Sequence, residues 1–72
     1  MFEYVEVAST SVDAVGYDRV ARTLAVRFCD GSEYHYSDVP EDVYRGILTA
    51  DSAGGYFNRH VKEAGFPYVR VE

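Results

Sequence analysis

Two histidines, one cysteine and twelve carboxylates are the side chains here that could bind a metal, activate a nucleophile or carry a proton. The soft and imidazole donors are Cys29, His35 and His60, with no Cys-x-x-Cys pair and no closely spaced histidines. That spacing predicts no metal centre and no cofactor. A catalytic nucleophile needs a base within hydrogen-bond reach and a third group to orient it. Cys29 instead falls in a predicted tight turn beside Asp30, whose negative charge opposes a thiolate, and reads as a tolerated loop residue. Glu41 and Asp42 read as acidic dressing at a helix start. No catalytic residue is assigned, and the chain is not expected to be an enzyme.

What remains is contact surface. Arg59, Lys62 and Arg45 are the cations placed to meet phosphates or a partner, with Asn58 and His60 beside them. His60 projects between Tyr56 and Phe57, at the centre of an apolar helical arc. It reads as a partly buried histidine bonded to backbone, or alternatively as a ligand or interface group. Ser52-Ala53-Gly54-Gly55 opens the same helix without a P-loop or GxGxxG pattern, so close packing is the expected use of its small residues. Tyrosines on a sheet can stack unpaired bases. Tyr34 and Tyr36, however, share a row with Val26 and Leu24 and are expected in the core, hydroxyls at the rim.

Bulk composition narrows the class. Seventy-two residues, 47% of them hydrophobic and 15% aromatic, suit one α+β domain over residues 1–72 that folds without disulfides. A monomer or a weak homodimer is expected. Neither a signal-peptide pattern nor a membrane-length apolar run is present, which makes the cytoplasm the expected location. A net charge of −5 argues against strong generic binding to nucleic acid.

The elements that must position these residues can be read from periodicity. Phe2 to Val7 alternates weakly, like a short edge strand, and Ser9-Thr10-Ser11 breaks it. Val12 to Tyr17 reads as the next strand, with Val15 and Tyr17 on one face. The strongest signal follows: Leu24, Val26 and Phe28 alternate, Asp30-Gly31 turns the chain, and Tyr34 and Tyr36 resume the alternation. A two-residue turn would put the two apolar rows on opposite faces. A three-residue loop, Cys29-Asp30-Gly31, with Gly31 left-handed in a G1 bulge, pairs Val26 with Tyr34 and Leu24 with Tyr36. Arg27 then opposes Glu33 on a solvent face that also holds His35. A loop over Asp18 to Ala21 would set Val15 beside Leu24, completing a three-stranded meander.

Two helices follow. Pro40 suits a first helical position, and Pro40, Val43, Tyr44, Ile47 and Leu48 share one arc. Glu41 and Arg45 pair on the outside, and Gly46 lies on the polar side, where it should weaken the helix. Asp51 or Ser52 can cap the second helix, whose apolar arc is Tyr56, Phe57, Val61 and Ala64. Gly65 and Pro67 end it, and Tyr68 to Val71 alternates like a last edge strand.

In sum the order is Val15-Gly16-Tyr17-Asp18, Leu24-x-Val26-x-Phe28, Gly31, Tyr34-His35-Tyr36, Val39-Pro40, Tyr44, and Ser52-x-Gly54-x-Tyr56-Phe57-Asn58-x-x-Val61. This pattern, over roughly residues 11–69, resembles the KTSC domain, named for its occurrence at the C-terminus of some lysyl-tRNA synthetases. Its signature is a central Tyr-x-Tyr, and Val61 stands where isoleucine is usual. The resemblance implies structural roles for Tyr17, Tyr34, Tyr36, Tyr56 and Phe57. Through the synthetase association it also implies RNA as the partner. RNA is therefore the preferred reading and a protein partner the alternative. Contact is expected on the second helix or on the face of Arg27, Glu33 and His35.

Overall fold

The computed structural model describes residues 2–71 and shows five antiparallel strands, each hydrogen-bonded to the next in chain order. β1 is Val5–Glu6, β2 Val12–Asp18, β3 Thr23–Phe28, β4 Glu33–Tyr36 and β5 Tyr68–Val71. Between β4 and β5 lie α1 (Glu41–Thr49) and α2 (Ala53–Phe57), the latter running on into a π-helical turn over Asn58–Lys62. Both helices cover the same face of the sheet. Val15, Leu24, Val26 and Tyr36 from the strands meet Ile47, Phe57 and Val61 there in one buried cluster.

The β3–β4 hairpin has the register that parity requires. Val26 pairs with Tyr34, Leu24 with Tyr36 and Arg27 with Glu33. The Phe28 amide donates to the Ser32 carbonyl at 2.8 Å, the Gly31 amide to the Phe28 carbonyl at 2.9 Å. Gly31 sits at φ 93°, the left-handed position of the bulged loop. Asp30 braces the turn by accepting from the Ser32 hydroxyl and amide, and those bonds hold its carboxyl below the usual range.

The β2–β3 connection differs from expectation. Tyr17, not Val15, stands opposite Leu24, and Val15 pairs with Val26. Asp18 Oδ1 accepts from the amides of Val20 and Ala21, so Asp18 stays paired with Thr23 and the chain reverses beyond it. Arg22 completes that turn at φ 54°. The slip is even, which keeps Val15 on the apolar face. A bulge between Val12 and Ala14 turns Val12 inward and sends Asp13 toward Arg27, at 3.8 Å.

The N-terminal segment overturns a second expectation. Val5 and Glu6 pair with β2, opposite Val15 and Ala14, and the Val7 amide donates to the Asp13 carbonyl at 3.1 Å. Residues 2–4 instead cross the sheet face that the helices leave bare. Phe2 packs 4.7 Å from the His35 ring, the Arg27 guanidinium lies 4.3 Å over the Tyr4 ring, and the Tyr4 hydroxyl donates to Glu33 at 3.0 Å. Gly16 permits the crossing, because a Cβ there would come within 2.9 Å of the Glu3 carbonyl oxygen. Ala25, on the same face, is fully buried. The chain's own N-terminal segment therefore lies across the Arg27, Glu33 and His35 face and leaves these three residues half-buried.

Packing also explains the helical glycines. Gly46 is no weak point, because a Cβ there would overlap the Tyr56 ring, so the glycine is what lets α1 and α2 approach. A Cβ on Gly54 would meet Ser9 Oγ at 2.8 Å, which bears out close packing of the helix start. Ser52 caps α2 by accepting from the Gly55 amide. Pro40 stands just before α1 in extended backbone rather than inside it, and Leu48 remains 38% exposed at the rim of its arc. Ala64, expected in the second arc, is exposed beyond the end of the helix, and Gly65 terminates it at φ 80°.

Gly31→Val should cost roughly 1–2 kcal/mol in urea denaturation, because a branched residue is held left-handed there; Asp30→Ala should cost less. Gly46→Ala should destabilise by about 1–3 kcal/mol, although alanine is the better helix former in isolation.

Candidate functional site

The helical layer covers the sheet unevenly, and the candidate site lies where it stops. Antiparallel pairing sets Tyr36 beside Tyr68 and Tyr34 beside Arg70 on the inner face. Phe57 packs edge-on against Tyr36 at 5.5 Å and seals it to 5% exposure. Tyr34 is only half-buried, and Tyr68 is 61% exposed. Their rings lie 5.8 Å apart, Tyr36 and Tyr68 5.5 Å, and Phe28 meets Tyr34 edge-on at 5.6 Å. Together with Ser32 and Lys62 these rings line a cleft of about 450 Å³ in which, among the described residues, none of the lining is acidic.

The expected contact residues are dispersed. Lys62 reaches the cleft, whereas Arg59 and His60 flank a smaller recess of about 230 Å³ with Tyr56 and Gly55. Asn58, Arg59, His60 and Lys62 are all exposed. Arg45 lies on α1, held by Glu41 at 3.1 Å in a pair that Arg19 shares. His60 is not partly buried at the centre of an arc. The wider π turn, marked by the Glu63 amide bonding the Asn58 carbonyl, departs from the α-helical projection that placed it there. Phe57 and Val61 form the buried stripe, and His60 stacks outside on Tyr56 at 4.1 Å.

The signature aromatics divide by role. Tyr36 and Phe57 are core, and Tyr56 wedges against Gly46. Tyr17 donates its hydroxyl to the Val39 carbonyl at 2.5 Å and stacks on Tyr44 at 5.4 Å. That stacked pair borders a recess containing Glu3, Asp18 and Glu41, the acidic counterpart of the tyrosine cleft. Tyr34 alone of the Tyr-x-Tyr pair lines the cleft with an accessible face. Sequence reading missed Tyr68 and Phe28 as cleft residues. Tyr68 carried a signal, its aromatic character at the start of an alternating run, but its neighbour across the sheet is set by a return after two helices.

Burial raises the Tyr36 phenol to about 12, with the Tyr34 and Tyr68 phenols adding to the effect. Burial and the hydrogen bond to Glu33 likewise raise Tyr4 to about 12. Phenols in the unfolded chain ionise near 10, so the fold favours the neutral form. The stability this contributes is complete below pH of about 10 and is lost as pH climbs from there through about 12. The thermal midpoint should hold level up to that point and then fall, and Tyr36→Phe should flatten the fall. Equal alkaline slopes for the two proteins would refute the assignment.

Comparison with known proteins agrees with this architecture. The sequence model of the KTSC domain matches residues 8–66. A protein of Stutzerimonas stutzeri is 37% identical over 68 residues, covering 94% of this chain and 96% of its own. One from Tsukamurella paurometabola is 41% identical over 56 residues, covering 78% and 84% respectively. A lysine–tRNA ligase of Nostoc punctiforme is 30% identical over 61 residues, 85% of this chain but 11% of that protein. The crystal structure of a KTSC domain protein from Yersinia pestis superposes with a TM-score of 0.86 at 27% identity, covering 100% of both chains. On the sequence match and on the fold alike, the chain belongs to the KTSC domain family.

Proposed function

We propose that this domain is a non-catalytic module that binds unpaired RNA, seating bases on the Tyr34 and Tyr68 faces of the cleft. The observation that carries this reading is the chemistry of the cleft: aromatic walls, Lys62 at the rim and no carboxylate in the lining among the described residues. In a chain of net charge −5 that segregation matters, because Glu3, Asp18 and Glu41 gather at the Tyr17–Tyr44 recess instead. Every base offers a π-face to an exposed ring, and phosphates need only a few cations along the path. Lys62 is the first such cation. Arg59, with Asn58 and His60, continues along the same helical segment, and Arg70 lies on β5 beside Tyr34. Arg45, tied to Glu41, has the lesser part. The similarity to part of a lysine–tRNA ligase supports RNA as the partner class, and a cytoplasmic location would suit such a partner.

Fluorescence anisotropy with an unstructured oligoribonucleotide and with tRNA tests the reading. Affinity should fall steeply between about 50 and 200 mM salt. Tyr68→Ala should lose about 1–3 kcal/mol of binding, the worth of one stacked base. Lys62→Ala should weaken binding uniformly and reduce the salt slope by about one. No salt-sensitive binding to either RNA at micromolar protein would overturn the proposal.

A further inference from the structure

The two edges of the sheet are unlike. β1 offers two residues, whereas β5 presents Tyr68 to Val71 with its outer edge unpaired among the described residues, Tyr68 and Val69 each being 61% exposed. The Ser37 amide donates to the Pro67 carbonyl at 2.8 Å, which makes residues 37 and 67 a hydrogen-bonded pair between β4 and β5. Bonding alternates along antiparallel strands, so His35 with Val69 and Glu33 with Val71 are the next such pairs. The backbone groups of Val69 and Val71 therefore point to β4, and those of Tyr68 and Arg70 point out to the open edge.

We infer that β5 is a dimerisation edge whose occupant is a second copy of this chain, antiparallel, with the two-fold axis at Val69. In that register Tyr68 lies opposite Arg70 of the second copy, twice. Each Tyr68–Arg70 pair can exchange both of its outward backbone hydrogen bonds. The same pairing sets a guanidinium beside an exposed phenol ring on the inner face, a cation–π match. On the outer face the two exposed Val69 side chains meet at a closely spaced, non-hydrogen-bonded position. A two-fold perpendicular to the sheet keeps inner faces together, so only registers shifted by two residues compete. Centring on Arg70 would set like charges opposite each other, which is unfavourable. Centring on Tyr68 would set Arg70 opposite Phe66, which lies outside the strand, and so halve the paired length. The Val69 register is the one that uses the strand fully, and the five-stranded sheet would continue unbroken into its copy.

The inference rests on the strand edge rather than on the RNA reading, although both draw on Tyr68 and Arg70, and it is tested without RNA. Sedimentation equilibrium of the full chain from micromolar to millimolar concentration should show a monomer–dimer transition. Val69→Lys, at a site already exposed in the monomer, should raise the dissociation constant at least about tenfold by setting two cations across the axis, while leaving the thermal midpoint of the monomer unchanged. In a Cys29→Ser background, Val69→Cys should crosslink to a covalent dimer under mild oxidation, because Cα atoms of facing non-hydrogen-bonded residues fall within disulfide range. Val71→Cys shares the outer face but would stand far from its copy in this register, so it should not crosslink. A chain monomeric throughout, a dimer indifferent to Val69→Lys, or equal crosslinking at both positions would each overturn the inference.

Discussion

Phe57 meets Phe28 and Tyr36 edge-on, ring centroids 5.5 Å apart in each case, and through these contacts the helical layer is seated on the sheet. A chain this short buries one apolar face and little else, so a single misplaced large ring would forfeit a sizeable part of its margin. Phe57 can seat only if Phe28 and Tyr36 project from the same face, which the G1 bulge at Gly31 secures. It also requires α2 to enter at the correct depth and α1 to lie close beside it. Ser52 and Gly54 supply the first condition, Gly46 against Tyr56 the second.

The same seating explains why a cleft exists at all. Helical cover reaches Tyr36 and stops, so the next residues outward on the inner face, Tyr34 and Tyr68, keep accessible rings. They are ordered from behind by Phe28 and Tyr36 rather than by a ligand. Such a surface presents aromatic faces on which a base or a side chain could stack. The opposite face took another course. There the small residues Ala14, Gly16 and Ala25 would leave a shallow apolar strip, and Phe2 and Tyr4 cover it, tied down by Glu33 and Arg27.

Charge follows this division. Arg27 is engaged with Glu33 and Tyr4, and Arg19 and Arg45 both meet Glu41. Surface pairs of this kind add little to stability, but they remove cations from the sides of the molecule away from the cleft. Among the described residues, those lining the cleft include a lysine and no carboxylate. The uneven distribution, more than the net value of −5, decides which surface could attract an anion.

Local chemistry made the hairpin legible. Alternation fixes which side chains share a face, and the parity of Asp30-Gly31 between two apolar rows leaves one turn geometry, so the pairings of Val26, Leu24 and Arg27 follow from residues close in the chain. The Ser52 cap and the Gly65 stop are local in the same sense. The β2–β3 register was not, because the Asp18 side chain moved the turn by an even step that alternation cannot detect. Nor did the residues between 2 and 4 reveal that they cross a sheet instead of extending it, since that depends on Gly16 being a gap when β2 and β3 are paired. His60 left its expected place because one wide helical turn replaces an α turn. The Tyr34–Tyr68 cleft joins residues separated by two helices, and only the packing that returns the chain to β4 brings them together. Sequence thus determined what each segment could become and which face it would bury; tertiary structure decided which surfaces remained open, because exposure is set by what else in the chain arrives to cover them.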